Sequence, residues 1–409
     1  MNAFFASIEQ FLRPDLGSKP IAITNGSRGS CIITSSYEAR AFGVKTGMRF
    51  SDARLLCPHL IQVASRSSIY ADFSRRLMQL LHDEFSPDIE VFSVDEAFLD
   101  MTHVHHGFSD ARLLAQAICN RVFAVLSLPC SVGISGDKTT AKYAAKLHKP
   151  NGVCVIPPLI SRSILAPVNV AEICGIGPNT KRYLARFGAL TCGGVGQIPV
   201  SILSKKFGVK GQRLWLMCAG KDPDMVKSYV DRPKSMGHSK ILPPGINSRS
   251  HLIRYLDVMA FQLTYRMLLQ NVYALTFVCS VQLSNRQRYD CELSLSSPCR
   301  QYEDLFCWLK SVCDAISLDA MVRKVSVTAL NLSDVIQHDF MSTKSSKQLK
   351  HDDCLERLLL SVNQRFGRST LMPARLLNVF SQVQSSRVIS PAWKGSVPKS
   401  QFRGSFLWD

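Results

Sequence analysis

Residues 91–100 read Val-Phe-Ser-Val-Asp-Glu-Ala-Phe-Leu-Asp, an apolar stretch with two adjacent carboxylates, Asp95 and Glu96, at its centre. The apolar residues predict one β-strand over 91–101. An ionised carboxylate is costly to bury unless something neutralises it, and paired hard oxygen ligands suit Mg²⁺. Two solvated acids at a hairpin end are the alternative. Neighbours on a flat strand point to opposite faces, so both acids reach one ion only at a strand end or a twist.

Length and composition predict a folded protein of several domains. The chain has 409 residues, of which 46% are hydrophobic, enough for three or four domains and too many for a disordered chain. No run approaches the roughly 18 apolar residues of a membrane span, and no signal peptide is recognisable. The sequence therefore predicts a soluble protein.

The charge predicts a polyanionic partner. The formal net charge is +18 and the pI is about 9.4, which favours nucleic acid over an anionic membrane. The excess is concentrated, because residues 161–230 hold ten Lys or Arg against three Asp or Glu. Residues 379–409 add four basic residues and one acid. A basic middle segment and tail fit contact with phosphates.

Cysteine and histidine usage predict no separate metal site. The chain has 14 cysteines and no Cys-x-x-Cys pair, which indicates a reducing, cytoplasmic compartment and thiols used as small buried hydrophobes. His103, His105 and His106 follow the acidic stretch. Such a run is more often solvated than metal-bound, so a loop is the favoured interpretation.

Periodicity predicts an α+β core in the first 160 residues. Short strands are expected on either side of an Asn-Gly-Ser-Arg-Gly turn, at 21–24 and 31–34. Further along, the pattern predicts helices at 68–86, 109–126 and 138–147 and a strand at 129–135.

The rest of the chain reads as two smaller modules. Short helices with glycine turns are expected over 170–220, and a proline-rich linker over 228–246. Between 250 and 332 the pattern is a helix, paired strands at 275–284 and 289–296, a second helix and a strand at 324–330. A polar loop at 338–352, a helix at 353–365 and a tail complete the chain.

Two short motifs could bind a triphosphate. Tyr37 and Arg40, three residues apart, share one helical face and could present a hydroxyl and a guanidinium. Lys149 precedes a tight Pro-Asn-Gly turn at a helix end. An ordinary surface helix is the alternative for the first motif, and each is weak alone.

In this order, the motifs resemble the Y-family of DNA polymerases, the translesion enzymes of the DinB and UmuC type. The resemblance covers residues 1 to about 335. The matching stretches are Met-Asn-Ala-Phe-Phe-Ala-Ser-Ile-Glu at 1–9, Arg-Pro-Asp-Leu-Gly-Ser-Lys-Pro at 13–20, Tyr-Glu-Ala-Arg at 37–40, Ser-Val-Asp-Glu-Ala-Phe-Leu-Asp at 93–100, Ser-Val-Gly-Ile-Ser at 131–135 and Ala-Lys-x-Ala-Ala-Lys-x-x-Lys-Pro-Asn-Gly at 141–152.

The resemblance implies an α+β multidomain fold shaped like a right hand. It has a palm, small fingers, a helical helix-hairpin-helix thumb and an α+β little finger. The implied bounds are palm 1–10 and 68–160, fingers 11–67, thumb 161–230, little finger 231–340 and a C-terminal tail 341–409.

The resemblance also implies the active-site residues. Asp95 and Glu96 match the catalytic, metal-binding carboxylates, and the backbone carbonyl of Met1 would join them around two Mg²⁺ ions. The residues that match the nucleotide-binding positions are Phe4, Phe5, Tyr37, Arg40 and Lys149. Phe5 matches the steric gate, an aromatic face that would clash with a 2′-hydroxyl and so select deoxynucleotides.

DNA contacts are expected from the thumb and the linker. Gly175 and Gly177, followed by Lys181 and Arg182, resemble a helix-hairpin-helix whose backbone N–H groups would face a phosphate. A plain helix C-cap at Gly175 is the alternative. A weaker second hairpin is expected at 207–211. Basic residues of the linker could also follow phosphates, although solvated side chains are an equal alternative: Arg232, Lys234 and Lys240.

The chain departs from the family pattern at its first residue. The family's first metal ligand is an aspartate immediately before the position of Met1. Three explanations stay open: an internal methionine as the given start, a degenerate inactive relative, or substitution by a nearby acid such as Glu9. Holding two Mg²⁺ ions with two carboxylates is harder than with three.

The C-terminal region predicts protein partners only loosely. Gln337, Phe340 and Met341 form a degenerate version of the family's sliding-clamp peptide, with a plain loop as the alternative. The end of the chain resembles the UmuC type, which implies accessory proteins of the SOS response.

We therefore expect a low-fidelity translesion DNA polymerase that uses primer-template DNA and deoxynucleoside triphosphates. Short fingers, and small residues near the nucleotide site (Ala3, Ala6, Ser35 and Ser36), predict a roomy pocket. One rival is a DNA- or partner-binding relative without chemistry. The other, a two-metal nuclease, has no use for a triphosphate pocket.

Overall fold

The computed structural model describes residues 1–25, 31–104, 110–229, 233–334, 346–367, 369–377 and 379. These residues belong to two compact units, one within Met1–Val230 and the other within Asp231–Ser386. Residues 26–29 of the predicted Asn-Gly-Ser-Arg-Gly turn at 25–29, and two of the three histidines, His105 and His106, lie outside the described residues.

The first unit begins with a buried helix and a small sheet. Helix α1 (Phe4–Leu12) buries its aromatic face, and strands β1 (Ile21–Thr24), β2 (Ile32–Ser35) and β3 (Ile61–Ala64) form a sheet in the order β2-β1-β3. Strand β1 pairs antiparallel with β2 and parallel with β3, so β3 returns by a crossover. Two short helices, α2 (Tyr37–Ala41) and α3 (Phe50–Leu56), form that crossover.

In the palm-like part, helices alternate with strands that form two separate two-stranded sheets. In chain order its elements are α4 (Ser67–Glu84), β4 (Ile89–Ser93), β5 (Glu96–Leu99), α5 (Ala111–Leu126), β6 (Val132–Ser135), α6 (Lys138–Leu147) and β7 (Val153–Ile156). Strands β4 and β5 form an antiparallel hairpin, whereas β6 and β7 are parallel. The predicted α+β core and its helices are confirmed.

One strand prediction is wrong in a way that matters for the site. Residues 91–101 form two strands, because the chain reverses at Val94 and Asp95 and Ser93 pairs with Glu96. The turn contains neither Gly nor Pro, and apolar residues flank it on both sides, so the pattern looked continuous. The acids therefore lie at a hairpin end.

Helix α6 lies directly on strand β6. A Cβ atom at Gly133 would lie 2.2 Å from the carbonyl oxygen of Ala141 and 2.3 Å from the amide nitrogen of Ala145. Real Cβ contacts are longer, so only glycine permits this approach. The contact sets the height of α6, which carries Lys138 and Lys142, above the strand.

A helical part completes the first unit. After a helix that begins at a proline, α7 (Pro158–Leu165), four short helices surround a separate apolar core: α8 (Pro178–Ala185), α9 (Cys192–Val195), α10 (Val200–Phe207) and α11 (Val209–Cys218). Gly208, at φ +62°, separates α10 from α11. The predicted series of short helices is confirmed.

The second unit is a sheet covered by helices. Its elements are β8 (Ser235–Ile241), α12 (Arg249–Leu269), β9 (Tyr273–Leu283), β10 (Arg288–Cys299), α13 (Tyr302–Ala315) and β11 (Val322–Ser333). The four strands are antiparallel in the order β10-β9-β11-β8. The expected α+β module is confirmed, but the linker at 228–246 contains an unpredicted edge strand, β8.

The segment that the sequence left to a tail packs on this unit. Helix α14 (Ser346–Phe366) and a 3₁₀ turn (Ala374–Leu376) follow β11, and Leu376 is buried with Val258 and Phe261 of α12. The second unit therefore extends beyond the predicted end of the little finger at 340. The predicted helix at 353–365 is confirmed within α14, but the local pattern does not identify its packing partner on α12.

Two further sequence expectations concern thiols and membranes. All 14 cysteines are free. Within the described ranges, no helix has the length and apolar character needed to cross a membrane.

Candidate active site

Asp95 and Glu96 converge at the end of the β4–β5 hairpin. The Ser93 hydroxyl lies 3.0 Å from Asp95 Oδ1 and 3.3 Å from Glu96 Oε2. Since Asp95 lies in the turn and Glu96 begins β5, the alternation that separates neighbours on a flat strand does not apply. Both carboxylates therefore reach one small volume, as a shared cation would require.

Lys142 of α6 neutralises one of these acids. Its Nζ lies 2.5 Å from Glu96 Oε1 and 4.4 Å from the centre of the Phe92 ring. Burial acts to raise the pKa of Glu96, but the hydrogen bond and charge of Lys142, with the charge of Lys149, hold that pKa below its ordinary value. Glu96 is therefore ionised at neutral pH.

The N-terminal residues lie beside the acids. The amino group of Met1 donates to the backbone carbonyl oxygen of Asp95 across 2.8 Å. The Asn2 side chain is buried, accepts from Ser131 Oγ at 3.1 Å and donates to Asn151 Oδ1 at 3.3 Å. Asn2 thus ties the start of the chain to the turn that follows Lys149.

Lys149 is held at the edge of the same site. It is exposed, and the turn after it puts Asn151 at φ +57°. A Cβ atom at Gly152 would lie 1.8 Å from the carbonyl oxygen of His148, so the turn needs glycine. The charge of Lys149 contributes to lowering the pKa of Glu96.

Glu9 is not available as a replacement metal ligand. Its fully buried carboxylate is occupied by Arg66 Nε at 2.9 Å, Arg66 Nη2 at 2.6 Å and the Tyr70 hydroxyl at 2.6 Å. The alternative in which Glu9 substitutes for an aspartate is therefore wrong.

The donor set at the hairpin end fits a divalent cation only in part. Carboxylate oxygens of Asp95 and Glu96 are the hard ligands that such ions prefer. No cluster of three or more His, Cys, Asp or Glu side chains occurs in the part of the chain that the structure describes. Among the described residues, Asp95 and Glu96 are the carboxylates that could hold such an ion, together with backbone and substrate oxygens.

Tyr37 and Arg40 lie together on α2, as their spacing predicts. The guanidinium of Arg40 lies 4.9 Å from the Tyr37 ring centre, and its Nε donates to the carbonyl oxygen of Ser35 at 3.1 Å. Ser36 caps the helix by accepting from the amide of Ala39. Burial raises the pKa of Tyr37 against the opposing charge of Arg40, so its hydroxyl stays neutral.

The aromatic pair on α1 is largely enclosed. Phe4 is 4% exposed and Phe5 is 8% exposed, with 5.7 Å between ring centres. The Phe5 ring stacks on Tyr70 of α4, with 4.4 Å between centres and 18° between planes. Phe5 is thus fixed from one side by a second ring.

The four small residues predicted to widen the pocket do not line it. Ala6, Ser35 and Ser36 have no exposed surface, and Ala3 is 7% exposed. They serve the packing and capping of α1, β2 and α2. The expectation of a roomy pocket stays a prediction.

The glycine turn of the helical part faces outward. Gly175 has φ +92°, and a Cβ at Gly177, the N-cap of α8, would meet no atom within 4 Å. Lys181 and Arg182 lie on α8. A 3₁₀ turn at Val170–Glu172 stands where the first helix of the hairpin was expected. The α10–Gly208–α11 bend matches the weaker second hairpin.

A buried charge cluster connects the palm-like part with the end of the helical part. Lys138 Nζ lies 2.8 Å from Glu90 Oε2 and 2.7 Å from Asp224 Oδ2, and only 8% of the lysine side chain is exposed. Arg213 of α11 pairs with the neighbouring, fully buried Asp222 at 2.8 Å. These contacts anchor the segment after α11 to α6 and β4.

The remaining DNA-binding candidates belong to the second unit. Lys234 is exposed, and Lys240 lies on β8 with Nζ 5.6 Å from the Tyr255 ring centre. Burial lowers the pKa of Lys240. Arg232 and the clamp-peptide residues Gln337, Phe340 and Met341 lie outside the described residues.

Sequence reasoning missed two polar side chains of the site. Ser93 and Lys142 stand inside the family-like motifs, yet neither was given a role. Ser93 is two residues before Asp95, and Lys142 is seven residues before Lys149. Their spacing to other motif residues was the available signal, but only the fold brings them to Glu96.

Comparisons with known proteins agree with this geometry. Residues 1–146 match the impB/mucB/samB family, residues 233–350 match the C-terminal domain of that family, and residues 171–222 match the thumb domain of DNA polymerase-iota. A solved Y-family DNA polymerase chimera superimposes with a TM-score of 0.71 at 26% identity, covering 81% of this chain and 96% of that one.

Several bacterial proteins are similar along the sequence. A DNA polymerase IV of Photorhabdus laumondii is 35% identical over 65% of this chain and 76% of the relative. A DNA polymerase IV of Dehalococcoides mccartyi is 28% identical over 92% of this chain and 95% of the relative. The match to the Moorella thermoacetica enzyme, at 35% identity, covers 59% of this chain and 61% of that protein.

Proposed function

We infer the roles of individual residues from one premise: the chain belongs to the Y-family of DNA polymerases, of the DNA polymerase IV type. It is a DNA-directed DNA polymerase of the translesion kind, which uses a DNA template and nucleotide substrates. The rival in which the chain only binds DNA or partners is not favoured. Each step of the chemistry can then be assigned to particular side chains.

Asp95 and Glu96 are the proposed metal-binding carboxylates. The observation that carries this assignment is their convergence on the Ser93 hydroxyl at the hairpin end. Two divalent ions, for which we propose Mg²⁺, would supply activation of the primer 3′-hydroxyl and neutralisation of the leaving pyrophosphate when bound. The carbonyl of Met1, a residue beside Asp95, is a further proposed ligand.

Lys142 prepares these acids for a cation. Its ammonium group keeps Glu96 ionised and satisfies an otherwise uncompensated charge. A bound cation would make the same electrostatic interaction with Glu96, and Lys142 would then be available to the triphosphate. The Phe92 ring, 4.4 Å from Nζ, supports the lysine in this position.

Tyr37, Arg40 and Lys149 are the proposed triphosphate ligands. Arg40 is exposed and held by Ser35 and the Tyr37 ring, so its fork is oriented before a ligand binds. Lys149 adds a point charge beside Glu96. Phe4 and Phe5 complete the nucleotide site, with Phe5 as the proposed gate against a 2′-hydroxyl.

DNA contact is proposed for the exposed turn at Gly175 and Gly177 with Lys181 and Arg182, and for Arg232, Lys234 and Lys240. Backbone N–H groups and lysines bind phosphates without reading bases. The corresponding domain assignment is palm 1–10 and 68–160, fingers 11–67, thumb 161–230 and little finger from 231. The C-terminal segment is added to the little finger because Leu359 and Leu376 pack with Phe261 of α12.

We also propose a cellular setting. Fourteen free cysteines fit a reducing cytoplasm. A role in the SOS response, and clamp binding by Gln337, Phe340 and Met341, rest on the sequence resemblance alone.

Primer extension tests the proposed chemistry. The full chain is incubated with primer-template DNA, deoxynucleotides and Mg²⁺ beside Asp95→Ala, and DNA binding is measured for both. We expect extension by the unmodified chain, none by the variant, and equal DNA affinity. DNA binding without extension by the unmodified chain would instead support a binding protein that lacks chemistry.

A further inference from the structure

A buried carboxylate lies directly behind the aromatic pair of α1. Glu9 is four residues after Phe5, so the two share one face of the helix, and Glu9 has no exposed surface. Its carboxylate accepts from Arg66 Nε and Nη2 and from the Tyr70 hydroxyl, and forms a longer ion pair with Arg13 at 3.4 Å. Helix α1, with its C-cap Arg13, and helix α4, with its N-cap Arg66, thus meet at one acid.

Tyr70 links the Glu9 carboxylate to the Phe5 ring. One end of its buried side chain is fixed by the 2.6 Å hydrogen bond to Glu9, and its ring lies nearly parallel to the Phe5 ring at 4.4 Å. Tyr70 cannot turn about its side-chain torsions without breaking the bond or the stack. The orientation of the Tyr70 ring, which supports Phe5, therefore depends on Glu9 and Arg66.

The chemistry of this cluster indicates a role in orientation. A buried ion pair adds little net stability over apolar side chains of equal volume, because desolvation offsets the attraction. Aromatic stacking alone would hold the rings in contact but would leave Tyr70 free to slide. A bidentate arginine and a tyrosine hydroxyl on one carboxylate instead fix a single arrangement.

We propose that Glu9 and Arg66 are positioning residues for sugar discrimination: they hold Tyr70 against Phe5 so that the gate cannot yield to a 2′-hydroxyl. The proposal rests on the gate role proposed above for Phe5. The degree to which deoxynucleotides are preferred over ribonucleotides then depends on Glu9, Arg66 and Tyr70, which do not contact the nucleotide themselves.

The test measures nucleotide affinity without turnover. The full chain is bound to a template whose primer ends in a dideoxynucleotide, with Mg²⁺, and titrated with a deoxynucleoside triphosphate and with the matching ribonucleotide. Tyr70→Phe removes only the hydroxyl. Since one hydrogen bond orients the ring, we expect the deoxy-to-ribo affinity ratio to fall about three- to tenfold, with deoxynucleotide affinity nearly unchanged. Tyr143→Phe, on α6, is the matched control and should leave the ratio unchanged.

A second variant probes the acid itself. Glu9→Gln should lower the ratio in the same direction, and the double variant with Tyr70→Phe should lower it no further than the stronger single variant, because both act through one bond. Thermal melting checks that each variant is folded. If Glu9→Gln does not fold, the comparison of Tyr70→Phe with Tyr143→Phe decides alone.

Phe5→Ala separates this inference from the proposed function. A large loss of the ratio in Phe5→Ala with no change in Tyr70→Phe overturns the inference and leaves the gate intact. An unchanged ratio in Phe5→Ala means that Phe5 is not the gate, and the inference is then wrong too. A loss in Phe5→Ala, and a smaller loss in Tyr70→Phe, is the result we expect.

Discussion

The carboxylates of Asp95 and Glu96 point to the same side of a hairpin turn, where one serine hydroxyl reaches both at 3.0 and 3.3 Å. The charge that this arrangement concentrates is offset by Lys142. The hairpin turn thus places both acids where one cation could meet them.

The first prediction concerns these acids. Asp95→Asn and Glu96→Gln should each lower the single-turnover rate of primer extension by at least about a hundredfold, because electrostatic stabilisation of the transition state is lost. DNA affinity should change little. Asp100→Asn, whose side chain accepts from the Thr102 amide near the other end of β5, is the control and should retain activity. Equal rates for all three variants would contradict the assignment.

Arg40 should control nucleotide affinity. Arg40→Ala removes charge-assisted hydrogen bonds to the triphosphate and should raise KM for deoxynucleotides about ten- to a hundredfold, with a smaller effect on kcat. Steady-state kinetics on one template measures this. Arg54→Ala, on the exposed face of α3, removes the same charge and should leave KM unchanged. A matching rise in KM for Arg54→Ala would indicate only a loss of general positive charge.

Lys181 and Arg182 should contribute to DNA affinity through salt-dependent phosphate contacts. The double alanine variant should weaken binding to all sequences equally and reduce the slope of log affinity against log salt by about two. Fluorescence anisotropy at several salt concentrations measures the slope. Lys310→Ala, an exposed residue of α13, should leave it unchanged. An unchanged slope in the double variant would remove the thumb turn from the DNA interface.

Asp224 should make stability depend on pH. Burial raises its pKa, but Lys138 and Arg213 outweigh this and hold the pKa below the ordinary value. The folded state therefore gains stability above about pH 4, and this is lost as the pH falls through the folded pKa. Asp224→Asn should lower the free energy of unfolding by about 1–3 kcal/mol at pH 7, and the difference should shrink in acid.

Denaturant titrations between pH 3 and 7 test that prediction. Asp72→Asn is the control, because Asp72 is half exposed and pairs with Arg75 on the surface of α4. Its effect should be within about 0.5 kcal/mol at every pH. A constant difference between Asp224→Asn and the unmodified chain across the pH range would refute the linkage.

Asn363 should stabilise the C-terminal segment of the second unit. Its buried amide donates to the Leu371 carbonyl oxygen and accepts from the Leu371 amide, both at 2.9 Å. Asn363→Ala should cost about 1–3 kcal/mol, since both backbone groups lose their partner. Ser361→Ala, on the exposed face of the same helix, should cost almost nothing. Hydrogen exchange at Leu371 would localise the loss.

The sequence predicted most helices and strands because their apolar periodicity is strong. It failed where packing partners, and not local pattern, determine the structure. Strand β8 has small and polar residues, Ser235 to Ile241, and forms because β11 offers it an unpaired edge. Helix α14 was expected to stand outside the little finger, but Leu359 and Leu376 find an apolar face on α12. Neither partner can be identified from the local sequence.

The candidate residues of the site come from the sequence motifs, whereas the side chains that support them were missed. Asp95, Glu96, Tyr37 and Arg40 stand in ordered motifs, so their types and spacing made them candidates, and their roles stay predictions. The links from Ser93, Lys142 and Glu9 to their partners join distant segments, and no spacing rule reports such contacts. The predicted single strand also placed the acids on opposite faces, and only the turn at Asp95 brings them together.

Because Gly133 has no side chain, and the space beside it is filled by α6, we expect substitutions at this position to be poorly tolerated. Any β-carbon at that position would displace α6, and Lys142, carried by the same helix, would leave Glu96. In a library that samples every residue at 133 and selects for polymerase activity, glycine alone should be recovered. Evolution of this site is therefore constrained at a residue that takes no part in the chemistry.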